Sequence, residues 1–230
     1  KSNFYLNLSN FSNPKFIFNL SLVVENQFLN EEYKKAKKTL KKFKKDDSFY
    51  FWFRVKKEAQ IIAKLRNKRE SLNYIKAEFD KIDKPNNKIL FDIANFYKNS
   101  KDYEKAIGYY SKIIENKEVS PEIKSDLFYR RGGSYERLGQ YEKADEDLLN
   151  ALKFDPEDAY ILNYLAYSWL ERGFKINEAI EMLEKAYASK SNDPYIIDSI
   201  GWAYYLVKDY LKAEKFLKRA VELMPDDPIV

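Results

Sequence analysis

Two carboxylate pairs superficially suggest general acid–base chemistry: Glu142 with Glu146, and Asp145 with Asp147. They fall among lysines on a polar helix face, where solvated surface carboxylates are the plainer reading. The rest of a catalytic set is missing. The 230 residues include no His and no Cys. That excludes imidazole bases, thiolate nucleophiles, disulfides and the commonest zinc ligands. No Gly-rich phosphate loop or nucleophile motif is present. The sequence therefore predicts a chain without catalytic residues, metal or cofactor.

Charge and aromatic rings are the chemistry that remains. Residues 1–86 hold 20 Lys+Arg against 10 Asp+Glu, whereas 87–230 hold 21 against 26. The halves carry +10 and −5, fields of opposite sign that could orient a partner. Eight lysines lie between Lys34 and Lys45. Tyr33, Ala36, Leu40 and Phe43 recur through them at helical spacing, which places the lysines on the outer face of an amphipathic helix. Such a face is either plain solvated surface or a contact for anionic membrane lipid. Nucleic acid is disfavoured, because no aromatic platform interleaves with the lysines.

The elements behind these residues follow from a period of about 34 residues. Tyr135, Gly139, Tyr141, Ala144, Leu148, Ala151 and Pro156 return as Tyr204, Tyr210, Ala213, Leu217, Ala220 and Pro225. Six units are expected at 17–50, 52–85, 87–120, 125–158, 159–193 and 194–227, each a helix A, a short turn and a helix B. Small residues mark where the two helices approach: Ala94 with Ala106, Gly132 with Ala144, Ala166 with Ala179, Gly201 with Ala213. Pro156 and Pro225 end a helix B, and Pro194 opens a helix A. In the first two units the anchors are Leu20, Val23, Tyr33, Ala36, Leu40 and Phe43, then Val55, Ala59, Ile62, Leu72 and Phe79. Pro121–Lys124 reads as an insertion between units, and 174–177 as one within a turn.

This pattern resembles the tetratricopeptide repeat. The resemblance implies an all-α, right-handed superhelical solenoid: 1–16 a partial repeat ending in a helix B (Phe4–Phe11, closed by Pro14), 17–86 two degenerate repeats, 87–227 four repeats, and 228–230 the start of another. Repeats are thus expected to continue past both ends. A narrower resemblance lies in Leu162–Trp169 and Asp198–Tyr205. Those stretches are similar to the carboxy-terminal repeats of proteobacterial envelope proteins, some of them lipoproteins that bind a periplasmic carboxy-terminal processing protease. A periplasmic location follows from that resemblance alone; the cytoplasm is the alternative.

In such solenoids helix A builds the concave wall, at the second, fifth, sixth, ninth and twelfth positions of each repeat. Here these include Phe91, Asp92, Asn95 and Lys98; Tyr129, Arg130 and Glu136; Tyr160, Asn163, Tyr164, Tyr167 and Leu170; and Tyr195, Asp198, Ser199, Trp202 and Tyr205. Clustered Tyr and Trp with Asn and Arg is the composition of a binding hot spot. Asn163 and Asn95 could each hold a bound backbone amide. The plain alternative is that the rings fill a tightly curved groove. A carboxylate clamp of the kind known in this family is excluded: its positions hold Lys56, Gln60, Asp92, Asp126 and Arg130, and the two aspartates would repel the ligand. The expectation is a non-catalytic scaffold or adaptor that binds a protein or peptide. A regulatory or targeting segment of a larger enzyme, or an inert spacer, is the alternative.

Overall fold

The structure is a computed structural model that describes residues 17–43 and 48–226. The expectations for Phe4–Phe11 and Pro14, for Lys44 and Lys45, and for the tail 227–230 lie outside the described residues. Among the described residues there are twelve helices and no strand. They come in consecutive pairs. The first three pairs are α1 (Ile17–Leu29) with α2 (Tyr33–Leu40), α3 (Ser48–Leu65) with α4 (Lys68–Phe79), and α5 (Asn87–Asn99) with α6 (Tyr103–Ile114). The second three are α7 (Pro121–Arg137) with α8 (Tyr141–Phe154), α9 (Ala159–Glu171) with α10 (Ile176–Ser189), and α11 (Pro194–Leu206) with α12 (Tyr210–Leu223). The chain divides between Ile89 and Leu90 into two compact units.

Five A–B turns close in the same way. The third residue past the helix donates its N–H back across five residues: Glu32 to Gln27, Asp102 to Tyr97, Gln140 to Tyr135, Phe174 to Trp169, Asp209 to Tyr204. The residue before it takes a left-handed backbone: Glu31, Lys101, Gly139, Gly173 and Lys208. This is the Schellman closure, and it favours glycine because a Cβ crowds the backbone there. Only two of the five turns have glycine, so the others carry backbone strain. Gly139, at φ 70°, has open space where a Cβ would stand. Gly139→Ala should therefore cost about 1 kcal/mol through backbone conformation alone. Lys208→Gly should shift the urea midpoint the opposite way. Equal midpoints for both variants and wild type would contradict this account of the turns.

The first unit buries Leu20, Val24, Ala36, Leu40, Phe43 and Ile61 as one cluster. The phase differs by one residue from the sequence expectation: Val24 and Ile61 are fully buried, while Val23 and Ile62 are only half-buried. Leu20 and Val24 stand one turn apart on one stripe, which selects Val24 over Val23. The long helix α3 faces two ways. Ile61 and Phe53 join α1 and α2, with Phe53 and Phe43 rings 5.5 Å apart. Its Trp52 meets Phe79 of α4 edge-on at 6.2 Å. In α4 Ile75 and the expected anchor Phe79 are buried, and Leu72 is half-buried.

In the second unit the helix pairs close through small residues. A Cβ on Gly132 would lie 3.2 Å from the Ala144 carbonyl oxygen. One on Gly201 would lie 2.8 Å from Leu217 Cγ, nearer than the Ala213 expected from the repeat. The insertion Pro121–Lys124 lies between the repeats and is helical: it lengthens α7 by one turn, with Pro121 at the start, where a missing N–H leaves no bond unmade. The α9–α10 turn is the long one, and its extra residue brings a second left-handed position, Lys175. Asp158 and Asp193 cap α9 and α11 by accepting two backbone N–H bonds each.

Candidate partner-binding site

The A helices of the second unit bring wall residues together pairwise. Tyr129 of α7 meets Tyr164 of α9 edge-on, with centroids 5.7 Å apart. The Tyr164 hydroxyl donates to Glu136 of α7 at 3.2 Å. Tyr167 of α9 lies close enough to Asp198 of α11 to feel its charge. Trp202 stacks on Tyr205 at 5.5 Å and 15°, and Tyr205 leans on Tyr210. Tyr160, Tyr167, Tyr195 and Tyr205 are each two-fifths to one-half exposed, a high value for rings of this size. Wall position twelve of the α9 repeat is different. Leu170 is 3% exposed and belongs to the core, because the helix rotates that side chain inward. Ser199 is buried too, with its hydroxyl donating to the Tyr195 carbonyl.

At the α5–α7 end the polar residues engage each other. Arg130 Nε reaches both oxygens of Asp126 at 2.8 and 2.9 Å, and the guanidinium lies 5.2 Å from the Phe91 ring centroid. Asn95 Oδ1 accepts from Tyr110 at 2.7 Å and from Arg130 at 3.3 Å. Of the two amide roles expected for Asn95, the acceptor is thus taken. Burial pushes the Tyr110 hydroxyl up to about 12. Lys98 is half-buried, and burial together with Arg130 and Arg137 holds its pKa below the usual lysine value.

The α9–α11 end contrasts with this. Asn163 Oδ1 and Trp202 Nε1 are buried and have no hydrogen-bond partner. Each such atom costs about 1–3 kcal/mol of lost hydration. Trp169 Nε1 shares that condition deep in the core, so orphaned atoms are not confined to the wall. Asp198 has neither a hydrogen bond nor an ion pair among the described residues, and burial raises its carboxyl. Between α7 and α9 opens a cleft of about 400 Å³, lined by Glu122, Asp126, Tyr129, Asp155, Asp158 and Tyr160 among others. Nothing in the repeat pattern signals this cleft, since it forms from the ends of three helices.

The helix-B carboxylates are not a solvated set. Asp147 is 3% exposed and takes both Arg131 nitrogens at 2.7 Å. Asp145 binds Arg172 at 2.7 Å, with 16% of its side chain exposed. Glu142 and Glu146 are exposed, as expected. No group of His, Cys, Asp and Glu suited to a metal occurs among the described residues.

Comparison with known proteins agrees with the helix pairs. Residues 88–119, 125–158 and 196–227 match the tetratricopeptide repeat family. These segments are tetratricopeptide repeats. The chain is 31% identical over 104 residues to the TPR repeat-containing protein PA4667 of Pseudomonas aeruginosa, a match covering 45% of this chain and 18% of that protein. It thus spans less than a fifth of that relative's length. The fold is similar to MamA from Desulfovibrio magneticus, at TM-score 0.61 and 19% identity over 77% of this chain and 97% of that one. YrrB, described as a TPR protein with an unusual peptide-binding site, superposes at TM-score 0.55 and 17% identity over 76% and 88%. The fold is a tetratricopeptide solenoid, an architecture of repeats stacked on their neighbours. Proteins built from these repeats are generally non-catalytic scaffolds for protein–protein interaction.

Proposed function

We propose that this chain is a non-catalytic adaptor whose aromatic wall on α7, α9 and α11 holds an extended peptide segment of a partner protein. The observation that carries this reading is the set of exposed rings on adjacent A helices, with Tyr160, Tyr167, Tyr195 and Tyr205 each 41–52% exposed. With Tyr129 and Tyr164 they offer rings of low conformational entropy, the residue type enriched at hot spots. Arg130, Asn95 and Asp198 add directional polar contacts, with Asn95 contributing its amide donor. A carboxy-terminal processing protease is the partner class implied by the resemblance of Leu162–Trp169 and Asp198–Tyr205 to envelope proteins. The test is selection of peptides from a displayed random library on the purified chain, repeated on a Tyr167→Ala/Tyr205→Ala variant. Peptides that bind the wild type and leave the variant support the groove; peptides indifferent to both changes oppose it.

A second surface is favoured by the arrangement of α2. Ala36, Thr39 and Leu40 are buried, while Lys34, Lys35, Lys37, Lys38, Lys41 and Lys42 are exposed. Lys35 pairs with Glu32 at 2.7 Å. We infer that this face is a contact for anionic membrane lipid, the alternative being a plain solvated surface. Association with vesicles containing phosphatidylglycerol should fall steeply as salt shortens the Debye length to about 10 Å at 0.1 M. Changing Lys34, Lys37, Lys38 and Lys41 to Gln should abolish it. Salt-insensitive association, or none, leaves a plain solvated surface.

A further inference from the structure

We propose that the α9–α11 part of the wall selects peptides bearing a lysine or arginine side chain, which seats on Asp198 flanked by Tyr167 and Trp202. This rests on the peptide-binding reading above and names the ligand chemistry of that same site. Three observations converge. Asp198 is a half-buried carboxylate with no cation and no hydrogen-bond donor of its own. An isolated buried charge is unfavourable and stands in proteins where a partner or ligand completes it. Second, the surroundings are aromatic. Trp202 lies one turn along α11 on the same face and is stacked on Tyr205, and Tyr167 approaches from the neighbouring helix. Ring faces beside a carboxylate suit a cation by two routes, ion pairing and cation–π attraction.

Third, the charge nearest Asp198 is acidic, and the basic groups Arg130, Arg137 and Lys190 lie beside Asp126, Glu136 and Tyr160 instead. Glu171 and Asp198 both act on Tyr167. On the neighbouring stretch of wall, Tyr164 donates to Glu136, whose charge is met by Arg137 at 3.6 Å. The α7–α9 cleft adds Glu122, Asp155 and Asp158, with no basic residue in its lining. Residues 87–230 as a whole carry −5. The one wall arginine, Arg130, is already spent on Asp126. A basic peptide therefore meets an attractive field on approach and an uncompensated carboxylate on arrival.

The test uses the whole chain and a displayed library of random dodecapeptides, with Asp198→Asn and Tyr205→Ala as variants. Asparagine keeps the shape and removes a desolvated charge, so Asp198→Asn should melt no lower than wild type. Wild-type selection should enrich Lys or Arg at one fixed position. In titrations, replacing that residue by Gln should weaken wild-type binding about tenfold or more, and should change binding to Asp198→Asn little. Cation-free consensus peptides, or equal dependence on the cation in Asp198→Asn, overturn the inference; if those peptides still lose affinity for Tyr205→Ala, the groove reading stands without it. Capture of no peptide, or only of peptides indifferent to Tyr205, overturns both.

Discussion

Asp147→Ala should lower the stability of the second unit by about 3–5 kcal/mol, the cost of leaving a buried partner charge unpaired. Asp147 of α8 receives Nε and Nη2 of Arg131 at 2.7 Å each. The third nitrogen, Nη1, donates to Ser111 Oγ of α6 at 2.8 Å. The guanidinium also lies 5.4 Å from the Phe128 centroid and 5.8 Å from that of Tyr135. One arginine thus ties α6, α7 and α8 together across a repeat junction. Alanine at 147 strands that charge among aromatic rings with no route to water for most of its surface. Urea unfolding followed by circular dichroism reads the effect. Replacing both partners, as Arg131→Met with Asp147→Leu, should recover most of the loss, because it removes the stranded charge as well as the pair. A shift under about 1 kcal/mol for Asp147→Ala would mean that the pair is already solvated and does not order the repeats.

Trp202→Ala and Tyr164→Ala should each weaken peptide binding by roughly thirtyfold or more, equivalent to about 2 kcal/mol at a hot spot. Both residues also pack against the core cluster of the second unit. Some loss of melting temperature is therefore expected beside the loss of binding, which the repeat pattern alone does not suggest. Tyr167 and Tyr205 are 41% and 49% exposed, so their truncation separates binding from folding more cleanly. Binding should be read by titration and folding by circular dichroism on the same samples. Normal affinity in folded Trp202→Ala would remove the indole from the site.

The helical hairpins were legible because the period fixes them: Ala144, Leu148 and Ala151 are fully buried, as the spacing of small and large apolar residues requires. The turns were half legible. Gly139 announces a left-handed closure, but Lys101 and Lys208 adopt the same backbone without glycine. Of the expected wall positions, Tyr160, Tyr167, Tyr195 and Tyr205 are exposed, whereas Leu170 and Ser199 are buried, because the face of a helix A that meets its neighbours is not fixed by the period alone. Which polar atoms are satisfied was not legible. Asn95 and Asn163 look alike in sequence, yet Tyr110 and Arg130 reach only Asn95, whereas Asn163 Oδ1 stays without a partner. That difference depends on the length and direction of side chains from neighbouring repeats. The Asp147–Arg131 pair escaped notice for the same reason: sixteen residues separate the partners, and an exposed-looking helix-B position turns out to face an arginine from helix A.

Binding of partner peptide on the aromatic face of the A helices remains the proposal from which the adaptor role follows. It is tested most directly by titrating one selected fluorescent peptide into wild type, Tyr167→Ala/Tyr205→Ala and Lys38→Ala, with each chain shown to be folded. The wall variant should lose roughly tenfold or more in affinity, and Lys38→Ala, on the outer face of α2, should bind like wild type. Wild-type affinity in the wall variant together with loss in Lys38→Ala would place the partner on the lysine face and contradict the account.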